Sequence, residues 1–426
     1  MYASMPLLFS FLFFLSFSLK SQSEGDIDNT FSVGSAFNNF AYDVVLQSDG
    51  KVVVAGSFTN YNGTTRERVI RLNSDGSVDT GFNTSSAFDN AAWCLAIDGN
   101  GKIVVGGTFT NYSSVTRGRI ARLNTNGSLD NTFVPTGTGF NDVVYAIVID
   151  GDGKIVAVGD FTTFNGTSRR KIARLNSDGT LDTGFNPGDG FNGRCEAVAI
   201  DGDGKIVVGG DFTSYNSVTR RRIARINPNG TLDTGFSPTG TSFNDFVYDL
   251  FILPDGKILV AGAFTNYNGT TRNRLARLNS DGTLDTGFAP AGTGFNNDVW
   301  GIKLLSDEKI LAVGNFTSFN GTTRNRILRL NADGTLDNTF NVGTGLNDKA
   351  HDLVVQSDGK VIVVGEFTQY QGNSRSRITR IWGSSGPLPV ILAYFQALPQ
   401  KNGIFLQWKT TQEVNHSHFE VEHAQD

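Results

Sequence analysis

The chain has 426 residues, a formal net charge of −5 and 18% charged residues, a balance that disfavours nucleic acid as a partner. It contains 50 glycines and 33 phenylalanines but only two methionines and two cysteines. This composition is typical of many short strands joined by glycine-rich turns, so we predict an all-β chain.

The first predicted element is a signal peptide over residues 1–23. The apolar run PLLFSFLFFLSFSL has the length of a signal-peptide core and is too short to span a bilayer comfortably. Ser21 and Ser23 follow it as small residues near a suitable cleavage point, although no Lys or Arg precedes it. We expect a secreted or cell-surface protein; a later start codon, such as Met5, is the alternative. No other stretch is predicted to span a membrane.

A repeat occupies most of the remaining chain. The motif GxFT recurs every 51 or 52 residues, and a period this regular is typical of repeat architectures. The glycines of the seven copies are Gly56, Gly107, Gly159, Gly210, Gly262, Gly314 and Gly365.

Each repeat contains four strand-like segments. In the third repeat these are VVYAIVID, KIVAVGDFT, KIARLN and TLDTGF. Asp-Gly and Asn-Gly pairs separate the first strand from the second and the third from the fourth, and they supply the positive φ angles that tight hairpins need. Four antiparallel strands in about 50 residues form one blade of a β-propeller.

The seventh repeat lacks its fourth strand. After the third strand of that repeat the sequence reads IWGSSGPLPV, and no LDxxF segment follows. The missing segment stands instead at Ile27–Phe31, before the first repeat. We therefore predict a closed seven-bladed β-propeller over residues 24–386, whose last blade is completed by residues 27–31.

The repeats resemble the delta-60 repeat of bacterial propeller proteins. The residues that carry the resemblance are DGKIVVGGDFT and RRRIARINPNGTLDTGF, and all seven copies, about residues 26–386, match it. The tail after Pro387–Pro389 resembles the start of the fibronectin-type-III-like module of surface and secreted proteins of Bacteroidetes, which often precedes a type IX secretion signal. We interpret 387–426 as a linker and an incomplete β-sandwich fragment of a longer protein, because about three strands do not make a sandwich.

A first set of candidate residues pairs the third strand with the fourth. Every third strand carries an Arg and every fourth strand an Asp, and an arginine fork matches a carboxylate. We predict structural pairs, with a binding role as the alternative. The residues are Arg71, Arg122, Arg174, Arg225, Arg277, Arg329 and Arg380, with Asp79, Asp130, Asp182, Asp233, Asp285, Asp337 and Asp28.

A second set lies on the face that carries the long connections, which lie between the second and third strands and between repeats. Near the start of each first strand one residue should face the central channel: Tyr42, Trp93, Tyr145, Glu196, Tyr248, Trp300 and His351. Unlike the strictly repeated phenylalanines, this ring varies between repeats, as a specific binding site would. Aromatic rings stack on sugars, so we predict ligand binding here, with packing between blades as the alternative.

The long loops hold a further aromatic in every repeat, each followed by an Arg. We considered a binding role for these aromatics and packing between blades as its alternative. They are Tyr61, Tyr112, Phe164, Tyr215, Tyr267, Phe319 and Tyr370.

Metal, disulfide and catalytic sites find little support in the sequence. DGDGK at Asp150–Lys154 and Asp201–Lys205 is similar to a calcium loop, but four repeats lack the first acid, so we predict plain turns. Cys94 and Cys195 are two repeats apart and are predicted to be buried thiols. We predict no metal and no cofactor. We also predict no enzymatic activity, because a glycosidase needs two acids and the ring holds only Glu196.

We therefore expect a non-catalytic binding or spacer module, monomeric within a longer chain, whose ligand is a glycan or a surface protein. The alternative is a polysaccharide-acting enzyme with its site at the channel mouth.

Overall fold

The computed structural model describes residues 23–84, 88–133, 137–236, 240–288 and 292–384, and the strands Ile391–Gln400 and Gly403–Gln412. The chain divides into two units, of which residues 24–386 form one. The predicted signal peptide, apart from Ser23, and the linker at 387–389 lie outside the described residues. In the second unit the two strands after 390 pair antiparallel.

The first unit consists of seven repeats of the same strands, which confirms the predicted all-β repeat fold. The first strands are Ala41–Leu46, Ala92–Ile97, Val144–Ile149, Cys195–Ile200, Val247–Ile252, Val299–Leu304 and Ala350–Val355. The second strands are Val52–Gly56, Ile103–Gly107, Ile155–Gly159, Ile206–Gly210, Ile258–Gly262, Ile310–Gly314 and Lys360–Gly365. The third strands are Val69–Leu72, Ile120–Leu123, Ile172–Leu175, Ile223–Ile226, Leu275–Leu278, Ile327–Leu330 and Ile378–Trp382.

A short hairpin lies between the second and third strands of each repeat. The hairpins comprise Asn60–Tyr61 with Thr64–Thr65, Asn111–Tyr112 with Val115–Thr116, Thr163–Phe164 with Thr167–Ser168, Ser214–Tyr215 with Val218–Thr219, Asn266–Tyr267 with Thr270–Thr271, Ser318–Phe319 with Thr322–Thr323, and Gln369–Tyr370 with Asn373–Ser374. The described residues contain no helix, and therefore none that could cross a membrane.

The prediction of four-stranded blades is wrong in one respect. Each repeat forms a three-stranded antiparallel sheet, and the predicted fourth strand is reduced to a single bridge such as Leu72 to Val78. The strand ends because the next residue, Asp79, starts a tight turn: its side chain accepts the Gly81 N–H at 2.9 Å, and its carbonyl accepts the Phe82 N–H at 3.1 Å. The chain therefore leaves the sheet after one bridge.

The hydrophobic core lies between neighbouring sheets. The second strands are the most deeply buried elements, as their runs of Val, Ile, Leu, Ala and Gly lead one to expect. One cluster joins Leu259 and Leu275 of the fifth repeat to Val299, Ile310 and Phe316 of the sixth. Each sheet is thus packed face to face against the next. As predicted, Cys94 and Cys195 are buried free thiols.

The segment before the first repeat pairs with the seventh. Ile27 forms an antiparallel bridge with Ile381, and the Asp28 N–H donates to the Arg380 carbonyl at 2.9 Å. A hydrophobic cluster combines Val52 and Phe58 of the first repeat with Ile362 of the seventh. Residues from the two ends of the unit are therefore in direct contact.

A β-bulge interrupts every first strand at its second residue. In the first repeat Ala41 pairs with Gly56 and Asp43 with Ala55, so Tyr42 is the extra residue. A Cβ on Gly56 would lie 2.2 Å from the Phe40 carbonyl oxygen, so only glycine allows this close approach. The register shift recurs in all seven repeats. The glycine of GxFT thus permits the bulge, and bulges redirect side chains.

Candidate functional site

The bulged residues of the seven first strands surround one cavity. The cavity has a volume of about 380 Å³. Its lining residues are Tyr42, Trp93, Tyr145, Arg194, Glu196, Tyr248, Trp300 and His351. All seven ring positions inferred from the sequence are therefore brought together, and Arg194 joins them.

The aromatic residues of this ring are stacked on one another. Tyr42 and Trp93 lie parallel with centroids 4.2 Å apart, and Trp300 and His351 lie 4.9 Å apart at 15°. Tyr42 meets His351 edge to face at 5.2 Å, and Trp93 meets Tyr145 at 5.9 Å. The rings thus contact one another around the cavity, two pairs face to face and two pairs edge to face.

Arg194 and Glu196 form the ionic side of the cavity. Arg194 Nε lies 2.9 Å from Glu196 Oε1, and the guanidinium carbon lies 5.4 Å from the centroid of Tyr145 and 5.2 Å from that of Phe246. Arg194 was not among the residues predicted from the sequence. The residue before the first strand varies between repeats; Arg194, Phe246 and Lys349 are examples. Variation between repeats identified the ring positions, and the same signal could have identified Arg194.

Burial raises the pKa of Glu196 to about 7. The positive charge of Arg194 opposes this shift, whereas the nearby carboxylates of Asp160 and Asp211 add to it. Glu196 is therefore a carboxyl group that takes up and releases a proton near neutral pH, which is a requirement for an acid–base role.

His351 belongs to a charged group at the opposite side of the ring. His351 Nε2 lies 3.1 Å from Glu366 Oε1, and Lys349 Nζ lies 3.6 Å from the same oxygen. The hydrogen bond from His351 is the main cause that lowers the pKa of Glu366. Lys349 Nζ also lies 5.6 Å from the centroid of Trp300. Among the described residues, no group of three or more His, Cys, Asp or Glu is arranged to hold a metal ion.

A second cavity of about 240 Å³ shares the walls of the aromatic ring. It is lined additionally by Asp43, Asp249, Asp352 and Lys303. Lys303 Nζ lies 3.3 Å from Asp352 Oδ1 and 4.0 Å from Asp249 Oδ2. We call Asp43, Asp249, Asp352 and Lys303 the charged layer. They were not predicted from the sequence, although the third position of the first strand changes between repeats from Asp to Cys, Ala or Gly.

Each carboxylate of the charged layer also accepts a backbone N–H of a neighbouring repeat. The Leu95 N–H donates to Asp43 at 2.6 Å, the Val44 N–H to Asp352 at 3.1 Å and the Ile302 N–H to Asp249 at 2.9 Å. These bonds fix the carboxylates in the channel wall.

The aromatics of the long loops are buried, so the idea that they form a binding surface is wrong. Tyr61 is 0% exposed, and its hydroxyl donates to the Gly76 carbonyl at 2.8 Å. Its ring lies 4.8 Å from that of Phe37. The same position is buried in every repeat. These aromatics attach the hairpin to the blade and leave no face for a ligand.

The structure brings every predicted Arg to its Asp, with Nε to Oδ2 distances of 2.7–2.8 Å. In the fourth repeat the Arg225 guanidinium lies over Phe236, and Nη1 donates to the Ser280 carbonyl of the next repeat at 2.6 Å. Lys205 also lies 2.9 Å from Asp233. The Arg–Asp pair is therefore part of a wider contact that joins neighbouring blades.

The DGDGK segments form hydrogen-bonded turns. The Asp150 carboxylate accepts the N–H groups of Asp152 at 3.0 Å and Lys154 at 2.8 Å. Asp201 makes the same two bonds with Asp203 and Lys205, at 3.1 and 2.9 Å. The first acid of each segment is thus occupied by backbone donors.

Comparison with solved structures shows the fold. The WD40 beta-propeller domain of Doa1 has a TM-score of 0.54 at 15% identity, covering 84% of this chain and 95% of that chain. An inactive variant of virginiamycin B lyase from Staphylococcus aureus has a lower TM-score of 0.47 at 12% identity, covering 81% of this chain and 96% of that chain. YCF48 bound to D1 peptide also has a TM-score of 0.47 at 12% identity, covering 82% of this chain and 94% of that chain. No curated protein sequence matches the chain.

Seven segments match the family described as "Domain of unknown function (DUF5122) beta-propeller". They span residues 47–82, 99–133, 151–185, 202–236, 253–288, 305–340 and 356–384, one in each repeat, and together they cover more than half of the chain. The chain therefore belongs to the DUF5122 beta-propeller family.

Proposed function

We propose that this protein is a secreted or cell-surface binding module without catalytic activity, whose ligand, a glycan or a surface protein, enters the cavity of the aromatic ring. The observation that carries the proposal is that seven residues from seven different strands converge on one cavity while differing in type. Positions that served only to pack the blades would be expected to repeat as the buried loop aromatics do.

We also propose that the seven blades form a closed ring and that residues 27–31 complete the last blade. The bridge between Ile27 and Ile381 and the hydrogen bond from Val44 to Asp352 support this closure. A closed ring holds the first strands in fixed positions around the channel, and a binding site gains from such preorganisation.

Polar groups in the cavity support a binding role. The Trp93 indole N–H is buried and has no hydrogen-bond partner among the described residues, so this residue of the cavity wall has an unsatisfied donor. Arg194 is 36% exposed at its side chain and donates through Nε to Glu196, which leaves part of its guanidinium fork for an acceptor.

The test is a screen of the purified protein against arrays of polysaccharides and surface proteins. The variant carrying both Trp93→Ala and Trp300→Ala should lose retention while its circular dichroism spectrum stays that of a folded β protein. Phe246→Ala is the matched control, because it removes an aromatic ring that contacts Arg194 but does not line the cavity. Absence of any ligand for the wild type, or unchanged retention of the double variant, would contradict the proposal.

A second candidate is an enzyme that acts on a polysaccharide, and the pKa of Glu196 near 7 favours it. Release of reducing ends or unsaturated products from a polysaccharide panel would reveal this activity. Glu196→Gln should abolish it if Glu196 is the acid or base. If the wild type and Glu196→Gln both bind a polysaccharide without cleaving it, the result supports the binding module and not the enzyme.

A further inference from the structure

We propose that the charged layer binds a primary alkylammonium group, such as the side chain of a lysine on a protein partner. The proposal rests on the proposed function, in which the ligand enters through the aromatic ring. It identifies the part of the ligand that reaches deepest and the residues that hold it.

The charge of the cavity favours a cationic ligand. Three carboxyl groups face it, and Lys303 is the cation among them. Lys303 lies within 4.0 Å of Asp249 and Asp352, but in the described part of the chain no Lys or Arg nitrogen lies that close to Asp43. The charged layer therefore holds more acid than base.

The second observation is the position of Asp43 beside Asp352. Both carboxyl groups line the same cavity, and each accepts a backbone N–H of a neighbouring repeat. Burial raises the pKa of Asp43 strongly, and the negative charge of Asp352 adds to this effect. Two adjacent carboxyl groups that cannot both ionise can share one proton, and a bound ammonium group can replace that proton.

The third observation is the shape of the entrance. One face of Trp93 is covered by Tyr42, and one face of Trp300 is covered by His351. A sugar that stacks flat needs an exposed ring face, whereas an alkyl chain can pass along ring edges. Asp43 follows Tyr42 directly, and both residues line the second cavity. A lysine side chain has this form: an apolar stem that ends in a charge.

The opposite wall suits the stem. Ala146 lies at the third position of the third repeat's first strand, where Asp43 stands in the first repeat, and it lines the same cavity. The cavity thus has carboxylates on one side and a small apolar residue on the other. This combination fits an amphipathic chain better than a hydrated metal ion, which needs oxygen ligands on several sides.

The test uses a short synthetic peptide, glycine-rich with one central lysine and blocked ends, and the same peptide with that lysine acetylated. The full chain is titrated with each peptide up to millimolar concentration, and the change in tryptophan fluorescence reports binding, because two of the four tryptophans, Trp93 and Trp300, line the cavity. The charged peptide should bind, and the acetylated peptide should bind at least about tenfold more weakly, because hydrogen bonds to a charged group contribute more than neutral ones.

Two variants with opposite expected effects test the residues. Asp43→Asn keeps the shape and the acceptor for the Leu95 N–H but removes the carboxylate, so it should weaken binding about tenfold or more. Lys303→Gln removes the competing cation and should strengthen binding. An unchanged circular dichroism spectrum must accompany both results, whereas the melting temperature of Lys303→Gln should fall because Asp249 and Asp352 lose their cation. If these residues had a purely structural role, the substitutions would change the melting temperature but not the preference for the charged peptide.

The dependence of affinity on pH is a further readout. The charged groups facing Asp43 are Asp352 and Lys303, and the buried Cys94 thiol is adjacent. Since the bound ammonium replaces a proton on Asp43, affinity should rise as pH increases through the raised pKa of Asp43, with release of a proton on binding. Asp43→Asn should remove this rise, and calorimetry in two buffers of different protonation enthalpy measures the proton.

Several outcomes would overturn the inference. Equal binding of the charged and acetylated peptides, or absence of binding by both, contradicts it, as does an Asp43→Asn variant with unchanged affinity. Binding of glucosamine oligomers that depends on Asp43, without binding of the peptide, would overturn the assignment to a protein partner. A neutral ligand that requires Trp93 and Trp300 but not Asp43 would support the proposed function and overturn this inference alone.

Discussion

The Asp352 carboxylate accepts a hydrogen bond from the Val44 N–H at 3.1 Å, and this bond joins the last repeat to the first. Asp43 makes the equivalent bond to Leu95, between the first and second repeats. The contact between the two ends of the unit therefore uses the same chemistry as a contact between consecutive repeats. The bridge from Ile27 to Ile381 is a further contact between these two ends.

Deletion of Asp26–Phe31 should lower the melting temperature and produce oligomers. The deletion removes the bridge to Ile381 and leaves Arg380 without Asp28, which lies 2.7 Å from it. The third strand of the seventh repeat then presents an unpaired edge, and such edges pair with other chains. Calorimetry and size-exclusion chromatography measure both effects. A synthetic peptide of residues 24–32 should restore the monomer, and a deletion variant that melts like the wild type would rule out this role of the segment.

Arg225→Ala should reduce the free energy of unfolding by about 1–3 kcal/mol. The substitution removes the bonds to Asp233 and to the Ser280 carbonyl, but Lys205 remains 2.9 Å from Asp233. The carboxylate is therefore not left without a cation, so the loss should stay below the roughly 3–5 kcal/mol typical of a buried charge with no partner.

Arg225→Lys is the control for this prediction. It keeps the positive charge but not the fork that reaches both Asp233 and Ser280, so its stability should lie between those of the wild type and Arg225→Ala. Urea denaturation measures all three proteins. Equal stability of Arg225→Ala and the wild type would show that the contact between blades contributes nothing measurable.

Gly56→Ala should destabilise the fold by about 1–3 kcal/mol, because a buried atom is added where there is no space. The new methyl group would lie 2.2 Å from the Phe40 carbonyl oxygen and 3.0 Å from the Ala41 Cα, so the bulge at Tyr42 must shift. Gly99→Ala is the matched control, since a Cβ there meets nothing within 4 Å. Thermal melts of both variants test the prediction, and similar melting of the two would show that the bulge does not require glycine.

The sequence predicted those features that repeat along the chain. The period, the three main strands, the Arg–Asp spacing and the ring from Tyr42 to His351 follow from local patterns. The short fourth strand, the bulge that directs Tyr42 and the burial of Tyr61 depend on contacts between segments. The hydroxyl of Tyr61, for example, is satisfied by a carbonyl 15 residues away.

The residues that were missed lie next to those that were predicted. Arg194 precedes the first strand, and Asp43 follows the ring position by one residue. In a regular strand adjacent side chains point to opposite faces, so a ring residue and its neighbour would not both face the channel. The bulge breaks this alternation and brings Tyr42 and Asp43 to the same channel, which the alternation rule alone could not predict.

The final prediction concerns the dependence of stability on pH. Burial raises the pKa of Glu196 from its usual value of 4.5 to about 7, so between these values the folded state binds a proton that the unfolded state has released. The contribution of Glu196 to the free energy of unfolding is therefore most favourable below pH 4.5. It decreases as the pH rises to about 7 and is constant above that value. Glu196→Gln should remove this decrease, so the variant should gain stability relative to the wild type as the pH rises.

Glu366→Gln is the control, because its pKa is shifted in the opposite direction. The hydrogen bond from His351 lowers the pKa of Glu366 in the folded protein. The ionised Glu366 therefore stabilises the fold above the usual glutamate pKa, and this stabilisation is lost as the pH falls through the lower pKa of the folded state. The Gln variant should therefore lose stability relative to the wild type at neutral pH and approach it in acid. Thermal melts of the three proteins between pH 3 and 8 measure these opposite trends. Parallel curves for the wild type and Glu196→Gln would show that Glu196 ionises in the folded protein as it does in the unfolded chain.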